Sequence, residues 1–327
     1  MTPIVNAVAA THQEMQGLSL RNKFKAWAAL SRAPFHTVGV FPFVLGATIA
    51  WGMGFAIDWA VLLLSSFALI LIMLTTYLAG EYYDSETDSI NASYNRFSGG
   101  SRVLQMGLIS RRGPLVASYV CVAGAIIVGL VLQFHYKTGP YTLLLGAFGF
   151  FCGYFYTARP IQWAYRGVGE ILISVCYGWL TVNAAYYLQT GSFHPVATLV
   201  SIPLAMSIFL VILINEFPDC PSDALSGKRT LVVRFGRERM AILYAILSIA
   251  CFLSVFGLFF YEVPWIIAPL SLFVLLLVAW NIVAVGQKGY EDRKLLQGIC
   301  GRTILLDLTI AGIYIVAFLL RRSVDSF

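Results

Sequence analysis

Asn215-Glu216-Phe217-Pro218-Asp219-Cys220-Pro221-Ser222-Asp223, followed at once by Ala-Leu-Ser-Gly-Lys228-Arg229-Thr230, closes an apolar run long enough to cross a membrane. Three carboxylates and two cations fall within this short stretch. A related stretch lies 135 residues earlier: Gly80-Glu81-Tyr82-Tyr83-Asp84-Ser85-Glu86-Thr87-Asp88, again directly after a long apolar run and again with two aspartates four apart. Farther along, Ser98-Gly-Gly-Ser-Arg102-Val-Leu matches Ser226-Gly-Lys-Arg-Thr-Leu. The similarity predicts two pseudo-repeated halves facing a shared central cavity.

Composition points to the solvent in which those runs sit. The 327 residues are 59% hydrophobic and 12% charged, with a mean hydropathy of +0.78, which excludes an ordinary soluble domain and predicts an all-α polytopic membrane protein. The six cysteines are scattered with no Cys-x-x-Cys spacing, so neither a zinc site nor a disulfide framework is indicated. No signal-peptide core precedes the first apolar run, and residues 1–33 read as a cytoplasmic arm. Leu20 to Leu30 fits an interfacial amphipathic helix. The membrane domain is expected over 34–327.

A window of about 20 residues, the length that spans the hydrocarbon, yields nine expected helices, at 35–55, 58–80, 114–133, 140–157, 168–188, 195–215, 239–261, 264–286 and 303–320. With the N-terminus inside, nineteen of the 22 Lys and Arg fall on the cytoplasmic side, leaving Lys137, Arg321 and Arg322 outside. That asymmetry predicts an inside N-terminus and an outside C-terminus. The formal charge of +6 therefore belongs mainly to one membrane face, where anionic lipids and ligands meet it; nucleic acid does not explain it.

The acidic residues are concentrated more narrowly. Of sixteen, eight lie in two segments: Glu81, Asp84, Glu86 and Asp88, then Glu216, Asp219, Asp223 and Glu238. Helical spacing places Asp84 beside Asp88, and Asp219 beside Asp223, about 5–6 Å apart at Cβ. A divalent cation removes the repulsion within each pair. Hard oxygen ligands suit Mg²⁺, which takes one or two carboxylates together with water and phosphate oxygens. Basic residues follow both pairs, Arg96 and Arg102 after the first, Lys228 and Arg229 after the second. Carboxylates, metal and cations together describe a diphosphate site.

On these residues the chain resembles the UbiA superfamily of intramembrane aromatic prenyltransferases, whose nine-helix bundle carries an Asn-x-x-x-Asp-x-x-x-Asp and an Asp-x-x-x-Asp motif. Asn215, Asp219 and Asp223 with Gly227-Lys228-Arg229-Thr230 match the second motif and its basic tail. Tyr156-Thr-Ala-Arg159-Pro160 and Gly167-x-Gly169-Glu170 are most similar to the naphthoate-prenylating branch. Gly80 stands where the first motif has Asn, so any role of that amide is filled by Glu81, by water, or not at all. The resemblance implies transfer of a polyprenyl group from its diphosphate to an aromatic acceptor, 1,4-dihydroxy-2-naphthoate, in a bacterial or archaeal cell membrane. Asp84, Asp88, Asp219 and Asp223 then hold Mg²⁺; Lys228, Arg229, Arg102 and Arg159 neutralise the departing diphosphate. Tyr82, Tyr83, Tyr154 and Tyr156 are candidates to face the allylic cation.

Each assignment has a plainer counterpart. The tyrosines also fit an interfacial belt, Arg159 a positive-inside anchor, and Asp307 a buried polar contact near a helix end. Another acceptor (4-hydroxybenzoate, another quinone or tetrapyrrole precursor, or a glycerol phosphate lipid) fits the same motifs. An anion transporter fits less well, because transporters place ionisable groups near the midplane and here they cluster at helix ends. Oligomeric state leaves no mark on the sequence.

Overall fold

The computed structural model describes residues 19–261 and 263–325, and all regular structure in them is helical. In chain order the helices are α1 (Leu20–Leu30), α2 (Ala33–Gly52), α3 (Trp59–Tyr83), α4 (Ser85–Ile90), α5 (Arg112–His135), α6 (Thr142–Tyr154), α7 (Gly169–Thr190), α8 (Pro195–Leu225), α9 (Leu231–Phe235), α10 (Arg237–Gly257), α11 (Ile267–Gly286) and α12 (Arg293–Asp325). The first eighteen residues of the expected N-terminal arm lie outside the described residues.

Eight of the described helices are long and apolar enough to cross a membrane: α2, α3, α5, α7, α8, α10, α11 and α12. The span expected at 140–157 is α6, a helix of 13 residues, about 20 Å long at 1.5 Å per residue and shorter than the hydrocarbon thickness. Hydropathy overestimated it because the apolar run continues beyond Tyr154 into a turn. The last span begins ten residues before the expected 303, at Arg293, because a charged but helix-forming first turn is invisible to a hydropathy window. Leu63, Val120, Leu276 and Trp280, from three different spans, are each more than 60% exposed. Such an apolar belt is what lipid covers, and the chain is an integral membrane protein.

The largest core gathers around α8 and α12, where Leu204, Leu210, Leu213, Ile214 and Phe217 meet Ile299, Leu306, Ile310 and Tyr314, all buried. Close approach is set by small residues. A Cβ on Gly46 of α2 would stand 2.1 Å from the Val182 carbonyl of α7, and one on Gly178 of α7 would stand 2.4 Å from Ala205 Cα of α8. The 31-residue α8 runs unbroken through Pro203, Pro218 and Pro221. Pro218 frees the Ile214 carbonyl, and the Cys300 thiol of α12 donates to it at 3.8 Å, an instance of a neighbouring helix satisfying a broken backbone ladder.

Alternating helices bring the segments 84–111, 155–168, 226–236 and 287–292 to one end of the bundle. Arg234 donates to the Arg166 carbonyl at 2.6 Å and Arg293 to that of Tyr94 at 2.7 Å. Opposite ends are tied separately, by the Asp58 amide on Gln189 Oε1 at 2.9 Å and the Tyr141 amide on the Tyr187 hydroxyl at 3.1 Å. Asp307 lies in the middle of α12 rather than near its end. It is fully buried and accepts from Ser207 Oγ at 2.7 Å.

Candidate active site

At the loop-rich end a cavity of about 220 Å³ opens between α2, α3, α7 and α8. The two acidic segments reach it differently. On the first, α3 stops at Tyr83, Asp84 stands at the junction, and α4 restarts, with the Asp88 amide still bonded to the Asp84 carbonyl at 2.8 Å. On the second, Asp219 and Asp223 ride the unbroken last turns of α8. Both pairs therefore keep the one-turn spacing read from the sequence.

Lys228, just beyond α8, joins the two. Its Nζ lies 3.0 Å from Asp84 Oδ1 and 3.7 Å from Asp223 Oδ1, with the side chain only 11% exposed. Burial by itself lowers the lysine, but the Asp84 and Asp223 carboxylates outweigh it and hold the ammonium well above its ordinary value. Asp88 responds the other way: burial, with Asp84 beside it, pushes its carboxyl up to about 7.

Loop 91–102 seals the cavity by donating to carboxylates. Asn91 Nδ2 donates to Asp219 Oδ1 at 2.7 Å and the Gly99 amide to Asp219 Oδ2 at 3.2 Å. Two bonds from Ser101, amide and hydroxyl, reach Glu81 at 2.8 Å each. Gly99 and Gly100 make this possible by adopting positive φ, 78° and 72°, and a Cβ on Gly100 would stand 2.2 Å from Asp88 Oδ2. Arg32, between α1 and α2, adds an ion pair to Glu81 at 3.3 Å. Burial opposes its charge, yet Glu81 and Asp88 raise it.

Deeper in, Glu170 at the start of α7 is 1% exposed and accepts the Leu231 amide at 2.7 Å. That bond holds the segment carrying Lys228. The buried Glu216 carboxyl faces Glu170 and the Val232 amide, but neither of its oxygens has a hydrogen bond of proper geometry. Asn215 Oδ1 is likewise buried without a partner. Tyr156 completes this floor, its phenol held well above the ordinary value chiefly by burial. Tyr177 donates to the Tyr77 hydroxyl at 3.0 Å, and both rings line the cavity.

Of the residues singled out in the sequence, Glu81, Asp84, Asp88, Tyr156, Asn215, Asp219, Asp223 and Lys228 converge on this one cavity. Six do not. Arg229 and Arg159 are exposed; Arg102 donates to the Asp88 carbonyl and stacks over Tyr94 at 4.4 Å; Tyr83 packs between Tyr82 and Tyr154, and all three stand outside the lining. Arg32, Tyr77, Asn91, Gly99 and Tyr177 line the cavity unannounced by either motif.

Six carboxyl groups against two cations line this space, a formal excess of four negative charges that repels a diphosphate. The imbalance calls for added cations, and oxygen donors in pairs fit Mg²⁺. Among the described residues no three acidic, His or Cys side chains form a ready-made ligand set, so phosphate oxygens and water would complete each ion's shell. A second cavity, of about 350 Å³, lies in the bilayer-spanning region between α3, α5, α6 and α7. Thr76, Ile173 and Tyr177 line both.

A membrane bundle with a charged chamber at one end and an apolar chamber beside it defines an intramembrane site for an amphiphile with an anionic head. Residues 39–296 match the family model described as the UbiA prenyltransferase family, and the chain belongs to that family. It is similar to 2-carboxy-1,4-naphthoquinone phytyltransferase of Synechocystis sp., 24% identical over 82% of this chain and 84% of the relative. It is also similar to the 1,4-dihydroxy-2-naphthoate octaprenyltransferases of Escherichia coli, 27% identical over 75% and 80% of the two chains, and Mycobacterium tuberculosis, 26% identical over 88% and 96%. Among solved structures, a UbiA homolog from Archaeoglobus fulgidus bound to GPP and Mg²⁺ shares the fold with a TM-score of 0.62 at 15% identity, covering 89% of this chain and 99% of that one.

Proposed function

We propose that the protein transfers a polyprenyl group from an allylic diphosphate to 1,4-dihydroxy-2-naphthoate, releasing diphosphate. The observation that carries this reading is the convergence of both acidic segments on one cavity, bridged by Lys228 and adjoining an apolar chamber. The naphthoate specificity of the relatives supports the acceptor.

Asp84, Asp88, Asp219 and Asp223 would hold Mg²⁺, which when bound supplies positive charge against the diphosphate. Lys228 and Arg32, the two cations in the lining, orient the head and take up negative charge as the C1–O bond breaks and its electrons leave with the diphosphate. Preorganised charge of this kind is commonly the largest single contribution to such a step. The tail occupies the apolar chamber, which puts C1 near the Thr76–Tyr177 wall. There the rings of Tyr77, Tyr156 and Tyr177 face the allylic cation, each contact worth about 0.5–2 kcal/mol. Glu216 and Asn215, with free oxygens below the aspartates, receive the acceptor's hydroxyl groups and present an electron-rich ring carbon to C1. As the C–C bond forms, that carbon gives up the substituent it carried, its proton or its carboxyl group as CO2, and the ring regains aromaticity. The cavity end is the cytoplasmic one, matching the basic residues gathered there, and the two acidic segments are the corresponding parts of two pseudo-repeated halves.

Purified protein in lipid with a prenyl diphosphate, Mg²⁺ and a panel of acceptors tests the reading. Prenylated naphthoate with stoichiometric diphosphate is expected; no product and no diphosphate release with any acceptor would sink it.

A further inference from the structure

Helix α1 belongs to no part of the bundle core. It is capped by Ser19, whose Oγ accepts the Asn22 amide at 3.3 Å. One side packs: Ala26 and Leu30 are buried with Leu78 of α3 and Val103 just past the sealing loop. A second side does not. Leu20, Phe24 and Trp27, spaced so that they form one stripe, are 86%, 76% and 39% exposed. About 100° farther round, at 3.6 residues per turn, stand Arg21 and Lys25, with Lys23 on the other flank, all exposed. One short helix thus has a packed side, an exposed apolar side and exposed cations flanking it.

The exposed stripe continues onto the lipid-facing surface of the bundle. Trp27 approaches the start of α5, its ring 3.9 Å from a Cβ built on Gly113, and along α5 Val116 and Val120 are 59% and 68% exposed. An apolar strip flush with the lipid belt, bordered by three cations along the N-terminal half of the helix, fits the boundary between headgroups and acyl chains. At its C-terminal end α1 hands over to Arg32, whose φ of 48° is left-handed, and whose guanidinium enters the acidic cavity to meet Glu81.

We propose that α1 lies in the membrane interface, with Leu20, Phe24 and Trp27 among acyl chains and Arg21, Lys23 and Lys25 on anionic headgroups, and that this seating holds Arg32 in the cavity. The second half rests on the function proposed above; the first does not.

Full-length protein is reconstituted in phosphatidylcholine vesicles with and without phosphatidylglycerol, using lipids brominated near the carbonyl end or the methyl end of the chain. The emission lost between wild type and Trp27→Phe isolates that one ring. Shallow bromines are expected to quench on the order of half of it, and deep bromines much less, for a ring at the headgroup–acyl boundary. No quenching at either depth, as when residues 1–18 or a second copy covers the stripe, overturns the lipid assignment. Prenyl transfer is then followed against phosphatidylglycerol content. Wild type is expected to rise several-fold, and the combined Arg21→Gln, Lys23→Gln, Lys25→Gln variant to stay flat; an equal rise in both overturns the coupling. Absence of transfer in every vesicle with normal Trp27 quenching overturns the proposed reaction and leaves the interfacial helix standing.

Discussion

Lys228 Nζ lies 3.0 Å from Asp84 Oδ1, an ion pair between the loop after α8 and the junction of α3 and α4. With Asp223 on its other side, this one cation joins both acidic segments. Lys228→Ala leaves carboxylates facing each other and removes a charge aimed at the leaving group, so kcat/KM for prenyl transfer should fall about 10²–10³-fold. Lys228→Arg keeps the charge with a different shape and should recover part of that loss. Near wild-type kinetics for the alanine variant would remove the lysine from the mechanism.

Asp88 gives the site a pH dependence with a definite sign. Its carboxyl titrates at about 7 because burial, then Asp84, penalises the charged form. Below that value a divalent cation must displace the proton; above it the oxygen is free. Mg²⁺ affinity should therefore strengthen as pH rises from 6 to 8, with proton release at the lower pH only. Calorimetric titration in buffers of unlike ionisation enthalpy reads that proton directly, and Asp88→Asn should diminish it.

Much of the fold was legible because spans announce themselves as apolar runs, and the aspartate pairs because four-residue spacing survives both in α8 and across the α3–α4 break. Where hydropathy failed, at α6 and at the start of α12, an apolar turn or a charged helical turn broke the equation of span with apolar run. The rest of the cavity comes from tertiary approach. Asn91 and Gly99 reach Asp219, 128 and 120 residues away, and no local pattern encodes that pairing. The paired glycines at 99 and 100 did carry a signal for left-handed backbone. Arg229 and Arg159 look identical in sequence to cations of the site, yet they face outward, because a loop has no periodicity from which to read direction.

Two glycines of the cavity lining, Gly80 of the first segment and Gly100 of the sealing loop, should behave oppositely. A Cβ at Gly80 meets only Thr157 Oγ1, at 3.9 Å, so Gly80→Asn, which restores the family's amide, should fold with an unchanged Tm and keep its activity. Gly100→Ala meets Asp88 Oδ2 at 2.2 Å from a φ of 72°. It must displace the carboxylate or the loop, and a loss of at least about tenfold in activity is expected, with about 1–2 kcal/mol of backbone strain added. Equal behaviour of the two variants in melting and assay would contradict the geometry.

Glu170 tests whether Lys228 is held from behind. Its Oε1 accepts the Leu231 amide at 2.7 Å from a position 1% exposed. Removing an acceptor from a buried donor costs about 1–3 kcal/mol. Glu170→Ala should therefore lower stability by that amount and loosen the segment from Lys228 to Leu231. Glu170→Gln retains an oxygen for the amide and offers a donor to the Glu216 carboxyl it faces, so it should keep the segment in place. The two variants separate anchoring from charge: if Lys228 is positioned through this bond, the alanine variant loses kcat and diphosphate affinity together while glutamine keeps both. If instead both variants lose activity equally at unchanged stability, the carboxylate acts through its charge, and the anchoring argument fails.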